Sequence, residues 1–191
     1  DQYFLQPKRK ATYVFFSITN YLEEAKEKIK FEELVAKRRN EHNSTNKVHH
    51  FTDASGTNKL TGAKLDDALV ADVFKSNLID LEAETLPQAK GKATEFRKKL
   101  FVEGKEWSIA RLRTEATKAG YSIQSTIVSQ ANENSILPQT VVDDIFSIPD
   151  ETKGKLSTSA AEVKSTRFAL EESGQGYYVF GLEEVIPGRP R

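Results

Sequence analysis

Three histidines, His42, His49 and His50, fall in one polar stretch with Glu41 and Asp53 beside them. Imidazoles together with a carboxylate are the donor set of a transition-metal site. The spacing argues against one. Adjacent histidines on regular backbone cannot both face one ion, and neither a helical pair nor a finger pattern is present. The expected reading is a solvated loop, with no metal and no other cofactor. Nucleophilic catalysis lacks its parts: there is no Cys, and no Gly-x-Ser-x-Gly turn that would present a serine. The stretch Gly56–Gly62 lacks the Gly-Lys-Ser/Thr end of a phosphate-binding loop. Carboxylates occur in adjacent pairs, at Asp66-Asp67, Asp143-Asp144 and Glu183-Glu184. Such neighbours point apart, which suits a charged surface better than a general acid and base. No catalytic residue is nominated on these grounds.

The aromatic residues Tyr13, Phe15, Phe16, Trp107, Tyr177, Tyr178 and Phe180 admit two readings. One is an ordinary core. The other is an apolar groove for extended or unfolded peptide, in which flat amphipathic rings supply contact area. Charge narrows the partners. With 28 basic and 28 acidic residues in 191 the formal net charge is zero, and a nucleic-acid binder needs a basic surplus to displace counterions. The basic triplets Lys8-Arg9-Lys10, Lys37-Arg38-Arg39 and Arg97-Lys98-Lys99 are read as solvated faces and termini. No stretch approaches the roughly 20 apolar residues of a membrane span, so no membrane insertion by this chain is expected. The chain has no Met, so a processed or excised product is expected, with any leader or anchor upstream of Asp1. The lack of Cys fits an oxidising compartment.

The elements that must position these residues follow from periodicity. Ala11–Ile18 (ATYVFFSI) is β-branched and aromatic and predicts a central strand, with Tyr13 and Phe15 on one face and Val14, Phe16 and Ile18 on the other. Asn20 is placed to cap a helix beginning at Tyr21. A phase slip at Lys30-Phe31 predicts two short helices or one bent helix ending near Asn40. Residues 42–62 form an aperiodic polar loop. Leu65, Leu69 and Val73, with Val70, Phe74 and Leu78, predict a helix, which Pro87 separates from another carrying Ala89, Ala93, Phe96 and Leu100. A further helix carries Ile109, Leu112, Ala116 and Ala119, with Trp107 at its start and Gly120 as its stop. Tyr121–Ser129 alternates as a strand. Pro138 opens a short helix with Val141, Val142, Ile145 and Phe146 inward. Thr166, Phe168 and Leu170, the turn Gly174–Gly176 and the run Tyr177–Ile186 predict a β-hairpin.

Several of these blocks resemble a known family. Pro7–Ile18 (PKRKATYVFFSI), Glu23–Lys26 and Phe31–Ala36 (FEELVA) are similar to the opening of a parvulin-type peptidyl-prolyl isomerase domain. Leu137-Pro138, Val142, Ile145-Phe146, Gly176–Phe180 (GYYVF) and Glu183–Pro187 (EEVIP) are similar to its closing half. Arg113–Gln124 resembles the helix–Gly–strand unit that follows the domain in some of its relatives, and the nearest relatives are the SurA-, PpiD- and PrsA-like folding factors of the bacterial envelope. The family's first and last strands carry histidines where this chain has Tyr13 and Tyr178. Its Gly-Gly-x-Leu-Gly segment has only Thr61–Leu65 as a counterpart. Family catalysis uses those histidines with a Cys or Asp, so the resemblance implies a scaffold kept and a chemistry lost.

The resulting expectation is an α+β fold: a small antiparallel sheet made by the first strand and the C-terminal hairpin, covered by several helices, parvulin-like with a helical insertion. One region over 1–191 is expected, with a possible division into 1–88 and 89–191. The resemblance implies a non-catalytic peptide-binding or chaperone domain of the periplasm or cell envelope, taking unfolded or nascent envelope polypeptides. Tyr13, Phe15, Tyr178 and Phe180 are the candidate peptide-binding residues. The alternatives are an active prolyl isomerase with an atypical site, and a structural scaffolding domain of a membrane-anchored complex.

Overall fold

The apolar run near the N-terminus becomes the inner strand of a sheet because both of its faces are covered. The computed structural model describes residues 4–44, 51–102, 108–131, 136–149, 164–165 and 176–190. After a short β1 (Phe4–Leu5), strand β2 runs over Lys8–Ser17 and is buried from Ala11 to Val14 without interruption. A 3-10 turn (Ile18–Tyr21) leads into α1 (Leu22–Lys28), α2 (Phe31–Asn43), α3 (Gly62–Ser76), α4 (Leu78–Leu100) and α5 (Ile109–Ala119). Then come β3 (Ile123–Ser129), α6 (Gln139–Ser147), β4 (Lys164–Ser165), β5 (Gly176–Ile186) and β6 (Arg189–Pro190). The fold is α+β. Four strands form one antiparallel sheet in the order β3-β2-β5-β4, and β1 pairs antiparallel with β6.

The sheet thus joins the first long strand to the last one, with β3 as an additional neighbour of β2. Of the expected hairpin, β5 and its pairing with β4 are described, whereas Thr166, Phe168, Leu170, Gly174 and Gln175 lie outside the described residues. The period-2 alternation of the strands feeds two separate cores. Ala11, Tyr13, Val128, Tyr178, Phe180 and Leu182 pack with Val141, Val142, Ile145 and Ile148 of the α6 segment. Val14, Phe16 and Val179 pack on the other face with Ala93, Phe96 and Leu100 of α4 and Ile109, Leu112 and Ala116 of α5. Burying one such large side chain contributes about 1.5–3 kcal/mol relative to exposure.

The chain forms two compact units, residues 1–19 with 86–191, and residues 20–85. The division does not follow a cut at residue 88, because β2 groups with the C-terminal half. In the second unit α2 and α3 share a core of Phe31, Val35, Leu65, Leu69 and Val73. Lys30, with φ of 56°, separates α1 from α2, so two short helices replace one bent one.

Several local expectations are corrected. Asn20 does not cap α1; it lies inside the 3-10 turn, and Tyr21 precedes the helix without a side-chain cap bond. Pro87 does not separate helices, since α4 continues through it. The break comes at Asn77, whose backbone N–H reaches the carbonyls of Val73 and Phe74 and whose side-chain amide donates to Val73 O at 2.7 Å. This amide satisfies an end-of-helix carbonyl, as a stop requires. Pro138 stands one position before α6, extended, and its carbonyl accepts from the amides of Val141 and Val142. Ala119 is exposed although it shares the stripe of Leu112 and Ala116. Gly120 ends α5 in the left-handed conformation (φ 75°), as its position predicts.

Candidate functional site

The four nominated aromatics share the α6 face of the sheet. Antiparallel register sets Tyr13 opposite Phe180 and Phe15 opposite Tyr178. Diagonal neighbours on one face are within reach of aromatic side chains, and the Tyr13 and Tyr178 rings meet with centroids 5.7 Å apart, tilted by 54°. Phe15 stacks on Tyr178 at 4.5 Å. Tyr13, Tyr178 and Phe180 are buried, and Phe15 remains partly exposed. The Tyr13 hydroxyl donates to Gln124 Oε1 on β3 at 2.8 Å, a partner that lies directly opposite in the β2–β3 register.

Burial raises the pKa of Tyr13. Burial, reinforced by Tyr13, pushes Tyr178 up to about 12. Both phenols therefore stay protonated at neutral pH. They can donate hydrogen bonds and stack, but they cannot exchange a proton near pH 7 as an imidazole does.

The opposite face holds a polar cluster for which adjacent acids gave no useful signal. The β2–β5 register shifts between Lys10, opposite Glu184, and Ala11, opposite Leu182, so Glu183 is the extra residue of a bulge. Bulges re-aim a side chain. The Glu183 carboxylate accepts from the Thr12 hydroxyl, from Lys10 Nζ and from Arg113 Nη2, the latter two at 3.1 Å. The Thr12 and Ser125 hydroxyls lie 2.8 Å apart. The hydrogen bond from Thr12, with Lys10 and Arg113, holds Glu183 below its usual range against the opposing effect of burial. A carboxylate committed in this way to a hydroxyl and two cations is a poor proton acceptor. The cluster joins β2, β3, β5 and α5. Lys10 and Thr12 could have been placed on this face by alternation, but the bulge has no local sequence signal.

The histidines divide. His42 is buried in the last turn of α2 instead of lying in a solvated loop, while His49 and His50 lie outside the described residues. Among the described residues no three His, Cys, Asp or Glu side chains are grouped to hold a metal ion. Asp66 pairs with Arg39, and Asp143 accepts from Gln139 Nε2 at 2.7 Å. Each basic triplet keeps at least one exposed member, Lys8, Lys37, and Lys98 with Lys99, while its arginines turn to partners within the chain. Arg9 donates to the carbonyls of Ile145 and Ile148, Arg38 pairs with Asp72, and the Arg97 guanidinium lies over the Phe101 ring. Trp107 lies outside the described residues. No helix of the described residues is long and apolar enough to cross a membrane. A cleft of about 410 Å³ between α1 and α2 is lined by Glu23, Lys26, Glu27, Lys30 and Phe31 among others; Lys26 there pairs with Glu23 and Lys30 with Glu33.

No family model, no curated protein and no solved structure matches the chain.

Proposed function

We propose that the chain is a parvulin-like domain of a bacterial envelope folding factor that binds non-native polypeptide and has lost isomerase chemistry. The observation that carries this reading is the meeting of Tyr13 and Tyr178 on one face of adjacent strands. In the resembled family those two positions hold histidines. Here they hold buried phenols that keep their protons. The uncatalysed prolyl barrier is about 18–20 kcal/mol, and a useful isomerase must remove several kcal/mol of it. Two phenols tilted against each other, with Tyr13 bonded to a glutamine, offer no proton relay for that purpose. Client contact would centre on Phe15, which is partly exposed and backed by Tyr178.

Two measurements test the proposal. A protease-coupled assay on a proline peptide is expected to show no rate above background. An aggregation assay on an unfolded client is expected to show suppression, weakened by Phe15→Ser. A rate that falls on Tyr13→Phe or Tyr178→Phe would favour the active isomerase. The burial of Tyr13, Tyr178 and Phe180 favours a second reading, a scaffolding domain whose aromatics serve only as core. Indifference to unfolded clients, with tight stoichiometric binding to one folded partner, would select it.

A further inference from the structure

We infer that the outer edge of β3 is a self-pairing seam, at which a second copy of the chain adds its own β3 antiparallel across a two-fold axis through Thr126. The inference stands apart from the client-binding reading.

β3 (IQSTIVS) is an end strand of the sheet order β3-β2-β5-β4. Its inner side pairs with β2, and among the described residues no strand pairs with its outer side. An end strand offers a row of backbone N–H and C=O groups, and proteins guard such rows with charge, proline, bulges or brevity. The other end of this sheet is guarded in that way, since β4 has two residues, one of them Lys164. β3 has none of these guards. It runs for seven residues without a charge, a proline or a glycine. Its register with β2 passes without a shift from Ser129 opposite Lys8 to Ile123 opposite Val14. Gln124 and Ser125 are exposed, and Ile127 is 53% exposed. What completes a ladder of this kind is another extended chain.

The residues of the strand select its own copy as that chain. Thr126 stands at the centre of the seven. Antiparallel pairing across a two-fold axis there sets Thr126 against the partner's Thr126, and Thr–Thr is a favourable cross-strand pair. Ile127 then faces the partner's Ser125, with the partner's Ile123 and the partner's Ile127 on its two diagonals, within reach on one face. The exposed isoleucine is thereby covered by isoleucines. Gln124 faces the partner's Val128. An uncharged strand opposes no like charges. Lys10, opposite Ile127, and Arg113, 3.5 Å from Ser125 Oγ, both pair with Glu183, so neither brings a bare charge to the seam. An apolar unfolded segment would gain less. Gln124, Ser125 and Thr126 are three consecutive polar residues, and Ile127 is the one exposed large apolar side chain of the strand. A closed two-fold contact of one patch with itself is also the commonest form of soluble assembly. Two four-stranded sheets joined in this way make one continuous sheet.

Sedimentation equilibrium of the full chain tests the seam. The average mass is expected to rise from 21.5 kDa toward twice that value with concentration. A strand edge is small beside a standard interface, so the rise is expected in the range up to about 1 mM. A mass that stays at one copy throughout that range would overturn the inference. Ile127→Lys adds a guard at an exposed position and is expected to weaken association roughly tenfold or more; unchanged association would overturn it too. A second test does not depend on how that variant folds. Thr126→Cys, in a chain that otherwise has no Cys, is expected to give disulfide-linked dimers under mild oxidation, because directly opposite side chains are close enough to bond. Ile79→Cys, at a position of α4 that is 81% exposed, is expected to cross-link far more slowly. Equal rates at the two positions would overturn the two-fold register. A chain that stays monomeric while an unfolded client slows amide exchange along Ile123–Ser129 would give the edge to the client and overturn self-pairing.

Discussion

Tyr13 and Tyr178 meet diagonally across β2 and β5, ring centroids 5.7 Å apart, and both are buried. Two phenols in such a place resist ionisation. An absorbance titration should therefore show Tyr178 ionising at about 12 and Tyr13 above its ordinary value. Tyr178→Phe should delete the late phase. Tyr13→Phe keeps the ring and loses the bond to Gln124, at a cost of about 1 kcal/mol in chemical denaturation. A Tyr178 that titrates with solvent-exposed phenols, near about 10, would show that water reaches the pair.

Glu183 is held below the usual carboxylate range, chiefly by the Thr12 hydroxyl and then by Lys10 and Arg113. A depressed folded pKa stabilises the fold above the unfolded value, near about 4.3, and that contribution disappears as pH falls through the folded value. Glu183→Gln should destabilise the protein by about 1 kcal/mol at neutral pH, a modest figure because the group is partly exposed. The difference from the unsubstituted protein should shrink as pH is taken from neutral to acid, down through the unfolded value and then the lower folded one. Urea unfolding at neutral and acid pH measures it, and an undiminished difference in acid would show that the carboxylate charge is not the source.

Arg9 tethers α6 to the sheet. Its guanidinium donates to the carbonyls of Ile145 and Ile148 at the end of that helix and lies 5.2 Å from the Phe146 ring centroid. A cation at a helix C-terminus is favoured by the macrodipole and satisfies otherwise orphan carbonyls. Arg9→Ala should cost about 1–3 kcal/mol, and Arg9→Lys should recover only part, because an ammonium lacks the planar fork. Thermal unfolding of the two variants is the measurement. Equal stability of Arg9→Ala and the unsubstituted protein would remove the tether.

Gly176 opens β5 where backbone and ring approach closely. A Cβ there would lie 2.2 Å from Phe16 O and 2.7 Å from the Phe15 ring. The carbonyl belongs to the strand next door and cannot step aside without disturbing the β2–β5 ladder. Gly176→Ala should cost about 1–3 kcal/mol, as overpacking does, whereas Gly91→Ala, with nothing within 4 Å of the new Cβ, should stabilise by up to about 1 kcal/mol. The contrast between the two glycines in one denaturation series checks the close approach.

Much of the fold was legible because its signals are local. Alternation on β2 sorted Tyr13 and Phe15 from Val14 and Phe16, and the two sets enter different cores. Helical spacing found Leu65, Leu69 and Val73, and also Ala93, Phe96 and Leu100, all of which are buried. Breakers were less reliable. Pro87 looked like a stop, yet α4 passes through it, and Asn77 stops α3 by bonding its side chain to Val73 O. The Glu183 cluster escaped notice because its members are up to 173 residues apart, as Lys10 and Glu183 are.

By itself the chain's order of residues determined which segments extend, which coil and which face of each is apolar, since these depend on side-chain types a few positions apart. Tertiary structure alone decided that β3 is the second neighbour of β2, that a bulge turns Glu183 toward Thr12, and that His42 is enclosed with both nitrogens occupied. Each of these is a pairing between distant segments, and the free energy that selects such a pairing resides in burial and hydrogen bonds that exist only once the segments have met.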